Sequence, residues 1–227
     1  MNGYDVETQT FYGIWDDDGL VHPSSTGGFV RPTRGNLLQQ AFVEVTNVKN
    51  ADGANVSRGR TSTKEPVYRP EGAVRGWRID LEMPGLVIGT DCKGSERVVV
   101  DPQLRRGRVV FVSTIPESVC SSGGTSWINA LDALDGSRLA FTAFDYTMDG
   151  NFDSKDLLDT DDDPSTKGEV GSSIRVLTDN GTGIYSAPSS LGLGGGQTMS
   201  IIADSEGDLI RLEESNAHGW RTWLQLD

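Results

Sequence analysis

The chain has 227 residues, enough to bury a substantial core in one large domain or two small ones. Its 20 Lys and Arg against 33 Asp and Glu leave a formal charge of −13, which argues against nucleic acid and anionic membrane as partners and favours cations, basic partner surfaces or plain solubility. No stretch approaches the roughly 18 uninterrupted apolar residues of a membrane helix. Residues 1–6 lack the basic region and apolar core of a signal peptide, so the sequence reads as cytosolic or as an excised part of something longer.

With 28 Gly and 7% aromatic residues, the composition suits short strands joined by turns better than a helical bundle. Strands are predicted at 10–15 before the turn Asp16-Asp17-Asp18-Gly19, at 40–46 before Asn50-Ala51-Asp52-Gly53, and at 76–81, 97–100 and 108–115. A strand at 126–131 leads through Asp132-Ala133-Leu134-Asp135-Gly136 into another at 138–144, and others follow at 173–177, 199–203, 208–212 and 220–226. The looser stretches 18–36, 52–72, 159–168 and 186–197 read as long surface loops. Trp15, Trp77, Trp127, Trp220 and Trp223 each sit in an apolar strand pattern, where core packing is the commoner fate.

This pattern is all-β, with sandwich, barrel and propeller as candidates. An apolar strand before an acidic glycine turn recurs at 11–19, 127–136 and 201–207. The recurrence favours a β-propeller with blades of roughly 40 to 50 residues, about five at most. Residues 1–227 are then a propeller domain or part of one, and any missing blades would lie upstream.

Residues 145–156 place oxygen-bearing side chains at loop positions 1, 3, 5, 9 and 12 (Asp145, Thr147, Asp149, Asp153, Asp156), with Gly150 at the sharp turn and Phe152 at 8. Calcium takes six to eight hard oxygen ligands, and the Asn151 carbonyl supplies one more. Without a cation the four aspartates would repel one another. Thr147 stands where an EF-hand has Asp or Asn, which weakens the site, and Asp156 replaces the bidentate Glu, which shortens its reach. The flanking pattern at 138–144 is strand-like, so an EF-hand domain is not expected. A solvated acidic turn is the bland alternative.

Cys92 and Cys120 would be unpaired in a reducing compartment and could form a single disulfide in an oxidising one. The run Gly192-Leu193-Gly194-Gly195-Gly196 lacks the phosphate-loop form and reads as a flexible turn. Only His22 and His218 could serve a nucleophile as base, and both lie in loop-like surroundings. An enzyme is therefore not expected.

Four collinear stretches carry a family resemblance. Residues 8–16 (TQTFYGIWD), 96–111 (ERVVVDPQLRRGRVVF) and 123–139 (GGTSWINALDALDGSRL), followed by the calcium loop, resemble the C-terminal propeller of the PilY-type proteins of bacterial type IV pili. Order and spacing match over about residues 8 to 156; the stretch 201–212 is compatible but generic. The resemblance implies a PilY-like, PQQ-propeller-like domain of a pilus-tip protein. It further implies export through the periplasm to the extracellular face or cell surface, and a longer parent with a variable adhesive N-terminal region. Expected partners are the minor pilins of the tip complex and a host or abiotic surface, with roles in pilus assembly, opposition to retraction, adhesion and twitching motility. Carried over, the Ca2+ ligands are Asp145, Thr147, Asp149, Asn151, Asp153 and Asp156, and Cys92 and Cys120 correspond to a disulfide pair. Arg58-Gly59-Arg60 is not an Arg-Gly-Asp tripeptide, so integrin-type adhesion is not implied. Competing readings are a generic extracellular calcium-stabilised adhesion or carbohydrate-binding module and, behind it, a propeller enzyme.

Overall fold

The computed structural model describes residues 8–15, 32–63, 74–81, 95–116, 124–158, 168–177, 183–194, 197–205 and 207–215. Its strands are β1 (Thr10–Ile14), β2 (Leu38–Gln40), β3 (Phe42–Lys49), β4 (Asn55–Ser62), β5 (Gly76–Asp80), β6 (Arg97–Val98), β7 (Gln103–Arg105) and β8 (Arg108–Pro116). They continue as β9 (Gly124–Asp132), β10 (Leu157–Leu158), β11 (Glu169–Val170), β12 (Ser173–Val176), β13 (Ser189–Gly194), β14 (Gln197–Ala203) and β15 (Leu209–Ser215). Among the described residues there is no α-helix, and none long and apolar enough to cross a membrane.

A seven-stranded sheet runs β3-β4-β12-β9-β8-β6, with β7 also on β8. Its strongest element is the β8–β9 hairpin, whose Val- and Ile-rich strands pair in unbroken register from Arg108↔Asp132 to Pro116↔Gly124. β4 and β12 lie side by side although the paired Arg60 and Ser173 are 113 residues apart. Three-stranded sheets β1-β5-β2 and β13-β14-β15 lie on either side, and β10 pairs with β11. The described strands thus do not follow one another blade by blade.

Alternation along the strands sorts side chains to two faces. On one face Val110, Val112, Ile128, Ala130 and Ile174 pack with Ile202, Ile210 and Leu212 of the β13–β15 sheet and with Phe144, Tyr146 and Leu158. On the other, Phe42, Phe111 and Leu131 meet Trp77, Ile79 and Leu81 beneath β1 and β5. Trp77 and Trp127 are core residues as expected, at 1% and 0% exposure. Trp15 is only half-buried and donates from Nε1 to the Leu134 carbonyl at 2.7 Å.

The second face also carries a buried polar row. Arg60 meets Glu96 through two hydrogen bonds of 2.9 and 2.6 Å, with side chains 0% and 1% exposed. Arg60 also donates to Ser173 Oγ at 3.1 Å and to Asn129 Oδ1 at 2.9 Å, and its guanidinium lies 3.7 Å over the Phe42 ring. A second buried ion pair, Arg108 to Glu214 at 2.8 Å, ties β8 to β15.

Several expectations need correction. The predicted loop 52–72 contains β4, whose polar sequence NVSRGRTS is buried through pairing and hydrogen bonding instead of apolar alternation. The predicted strand 138–144 is irregular backbone: Leu139, Ala143 and Phe144 enter the core, and among the described residues its backbone pairs with β15 through the Phe144↔Glu214 bridge and its flanking bonds. The glycine run begins inside β13, and Gly195 and Gly196, where the turn is expected, lie outside the described residues. Cys92, Cys120, His22, His218, Trp220 and Trp223 lie outside the described residues, and so does the predicted strand 220–226.

Glu96→Gln is expected to leave Arg60 as an uncompensated buried charge and to lower stability by about 3–5 kcal/mol. Urea unfolding checks this, and pairing the change with Arg60→Met should recover much of the loss.

Candidate functional site

The segment after β9 passes through the turn at Asp132–Gly136, where the Gly136 amide donates to the Asp132 carbonyl at 2.9 Å, and delivers residues 145–156 beside β4. Asp145 and Asp156 anchor the loop. Asp145 Oδ1 accepts from the Asp149 amide at 3.2 Å and Oδ2 from the Gly150 amide at 2.7 Å. Asp156 Oδ1 accepts from the amides of Tyr146 and Thr147 at 2.8 and 3.1 Å, and Oδ2 from the Asp153 amide at 3.1 Å. Gly150 turns with φ +80°, as the sixth loop position requires. Asp153 caps a short 3-10 turn, Ser154–Asp156, by accepting from the Lys155 amide at 2.7 Å.

Two carboxylates and one hydroxyl converge. Thr147 Oγ1 lies 3.3 Å from Asp145 Oδ1 and 3.2 Å from Asp156 Oδ1. Asp145, Thr147 and Asp156 are 3%, 7% and 0% exposed, and among the described residues no cationic side chain pairs with either acid. Burial pushes the Asp156 carboxyl up, amide bonds from Thr147 and Asp153 oppose that rise, and the charge of Asp145 adds to it.

Asp149, Asn151 and Asp153 sit differently. Asp149 accepts from the amide and side chain of Asn151 at 2.9 and 3.1 Å, which holds its carboxyl below the usual range. Lys155 lies 3.5 Å from Asp149 and 3.8 Å from Asp153, on the exposed side of the loop. No three acidic, His or Cys side chains gather round one point among the described residues. The hard-oxygen set of Asp145, Thr147 and Asp156, with two buried and uncompensated carboxylates, fits a hard divalent cation.

Tyr146, between the first two candidate ligands, welds the loop to the sheet. Its carbonyl accepts from Ser57 Oγ of β4 at 2.7 Å and its hydroxyl donates to the Ser173 carbonyl of β12 at 3.0 Å. Burial first, then the Asp156 charge, push that hydroxyl well above the usual phenol range, so it remains a donor. Gly59 leaves room for this contact: a Cβ there would stand 2.4 Å from Leu158 Cδ2 and 2.9 Å from Tyr146 Cε1. Sequence reasoning missed Tyr146 and Ser57, and the signal for the former was an aromatic between ligand positions.

No family model matches the chain. Over 156 residues it is 32% identical to the type IV pilus biogenesis factor PilY1 of Pseudomonas aeruginosa PAO1, covering 65% of this chain and 12% of that protein. A PilY1 homolog of Xylella fastidiosa Temecula1 is 31% identical over 133 residues, 57% of this chain and 8% of that protein. Among solved structures the fold is similar to the P. aeruginosa PilY1 C-terminal domain, with a TM-score of 0.68 at 21% identity, covering 93% of this chain and 38% of that one. The class is therefore an all-β, propeller-like domain. Over the matched span the chain is similar to the PilY-type, type IV pilus factors, and it spans 12% of the length of its P. aeruginosa PAO1 relative.

Gly59→Ala is expected to force Leu158 and Tyr146 off β4 and to destabilise the fold by about 1–3 kcal/mol, read as a lower urea midpoint.

Proposed function

We propose that this chain is the calcium-binding, propeller-like module of a type IV pilus biogenesis factor. The observation that supports this reading is the 32% identity over 156 residues to a relative named for pilus biogenesis. On it, Asp145, Thr147 and Asp156 hold Ca2+ with help from Asp149, Asp153 and the Asn151 carbonyl, and the bound charge offsets the repulsion of the buried acids. The loop then stiffens β4 and β12 through Tyr146. The module acts at the pilus tip, at the cell surface after export through the periplasm, with the minor pilins. There it supports assembly, opposes retraction, and serves attachment to host or abiotic surfaces and twitching. The relatives are named as biogenesis factors and not as enzymes, and the reading needs no catalytic step.

At 100-fold excess over its dissociation constant, calcium that binds only the folded loop adds about 2.7 kcal/mol. Thermal unfolding in millimolar calcium should therefore lie several degrees above that in chelator, and Asp145→Asn should erase the difference; equal midpoints in the unaltered chain would remove the site.

In a strain carrying Asp149→Ala in the full-length parent, surface piliation and twitching should fall or lose their calcium dependence. Asp162→Ala, in the acidic run beyond the loop and outside the described residues, should match the unaltered strain. Normal piliation, motility and attachment in the Asp149→Ala strain would reject the link between loop and pilus.

A further inference from the structure

The carboxylates on the exposed side of the loop already face a cation of the chain's own. Asp149 and Asp153 each commit one oxygen to the backbone: Asp149 Oδ1 accepts from the Asn151 amide at 2.9 Å, and Asp153 Oδ1 from the Lys155 amide at 2.7 Å. The second oxygen of each turns to Lys155 Nζ, which lies 3.5 Å from Asp149 Oδ2 and 3.8 Å from Asp153 Oδ2. The buried acids of the same loop differ, since among the described residues neither Asp145 nor Asp156 pairs with a cationic side chain. One ammonium thus stands at the oxygens that Asp149 and Asp153 have left to offer a metal ion.

The fold puts Lys155 there. It sits in the 3-10 turn Ser154–Asp156, which Asp153 caps, and the same turn carries Asp156 to the amides of Tyr146 and Thr147. Its hold is loose: the Lys155 side chain is 67% exposed, and those of Asp149 and Asp153 are 33% and 45% exposed. Ion pairs so exposed add little stability, and a flexible four-carbon stem swings into solvent at small cost. A divalent cation brings twice the charge and takes several oxygens at once, where an ammonium can only donate hydrogen bonds. The ammonium is therefore an exchangeable occupant.

On the reading that this loop holds Ca2+, we propose that Lys155 is a tethered counter-cation that competes with the ion for Asp149 and Asp153 and so sets the calcium concentration at which the loop fills. In the empty loop its charge offsets the repulsion between the two outer acids. On filling, their free oxygens turn to the ion and Lys155 moves to solvent. Because binding displaces a charge already in place, the affinity is lower than the loop oxygens alone would give, which suits a site filled where calcium is plentiful.

The test is calorimetric titration of calcium into the unaltered chain, Lys155→Gln and Arg34→Gln at one fixed ionic strength. Lys155→Gln should bind calcium about three- to tenfold more tightly. Arg34→Gln removes the same charge from beside Asp80, in the β1-β5-β2 sheet, and should bind as the unaltered chain does. A measurement that needs no loss of charge stands beside it: with lysines carrying carbon-13 methyl groups that keep the charge, the Lys155 resonance, assigned through Lys155→Arg, should move saturably over the calcium range that releases heat. This resonance decides if Lys155→Gln does not fold. Calcium binding by neither the unaltered chain nor Lys155→Gln removes the calcium site itself and this proposal with it. Calcium binding with unchanged or weakened affinity in folded Lys155→Gln, equal tightening in Arg34→Gln, or a Lys155 resonance unmoved at saturating calcium overturns the competition alone and leaves the site standing.

Discussion

A guanidinium removed from water must be neutralised and hydrogen-bonded on all sides, and the arrangement of the large sheet follows from meeting that demand for Arg60. The partners come in a row. Arg60 belongs to β4, Ser173 to β12, Asn129 to β9 and Ser113 to β8, and Glu96 stands at the entry to β6. Each adjacent strand along the β4-β12-β9-β8-β6 path thus contributes to one connected network. A slip of one residue at β4 would turn Arg60 into the apolar face and bring Gly59 or Thr61 opposite Glu96. The register of strands far apart in sequence is therefore enforced by charge as well as by apolar burial.

The same alternation places the loop. Arg58 and Arg60 face one way, so Ser57, Gly59 and Thr61 face the other, where Ser57 meets the Tyr146 carbonyl and Gly59 admits Leu158 and Tyr146. The acidic loop and the polar network are consequently two sides of one strand. They are bridged at Ser173, whose side chain joins Arg60 and Asn129 while its carbonyl accepts from Tyr146. Order in the loop and order in the β4–β12 ladder are mechanically linked.

Similarity to the solved PilY1 domain at 21% identity speaks to fold, and the stronger local identity of 32% speaks to family. The two agree on an all-β, propeller-like domain similar to that of the PilY-type factors. Within that fold the chain carries an overall charge of −13, a pair of buried acids at the loop and opposed arginines on the opposite face.

The sequence by itself determined the all-β class, the hairpin-forming apolar strands and the burial of Trp77 and Trp127, because alternation and turn residues are local signals. The collinear motifs likewise sufficed for the resemblance to PilY-type factors. The tertiary structure alone decided that the polar stretch 55–62 is a central strand and that 138–144 is not a strand. It also separated the candidate ligands of the loop into a buried trio, Asp145, Thr147 and Asp156, and a set turned toward Lys155. The physical reason is common to these cases: whether a polar residue is buried depends on the partner that reaches it from elsewhere in the chain. Arg60 finds Glu96 and Ser173 across 36 and 113 residues, distances over which no local pattern in the sequence extends.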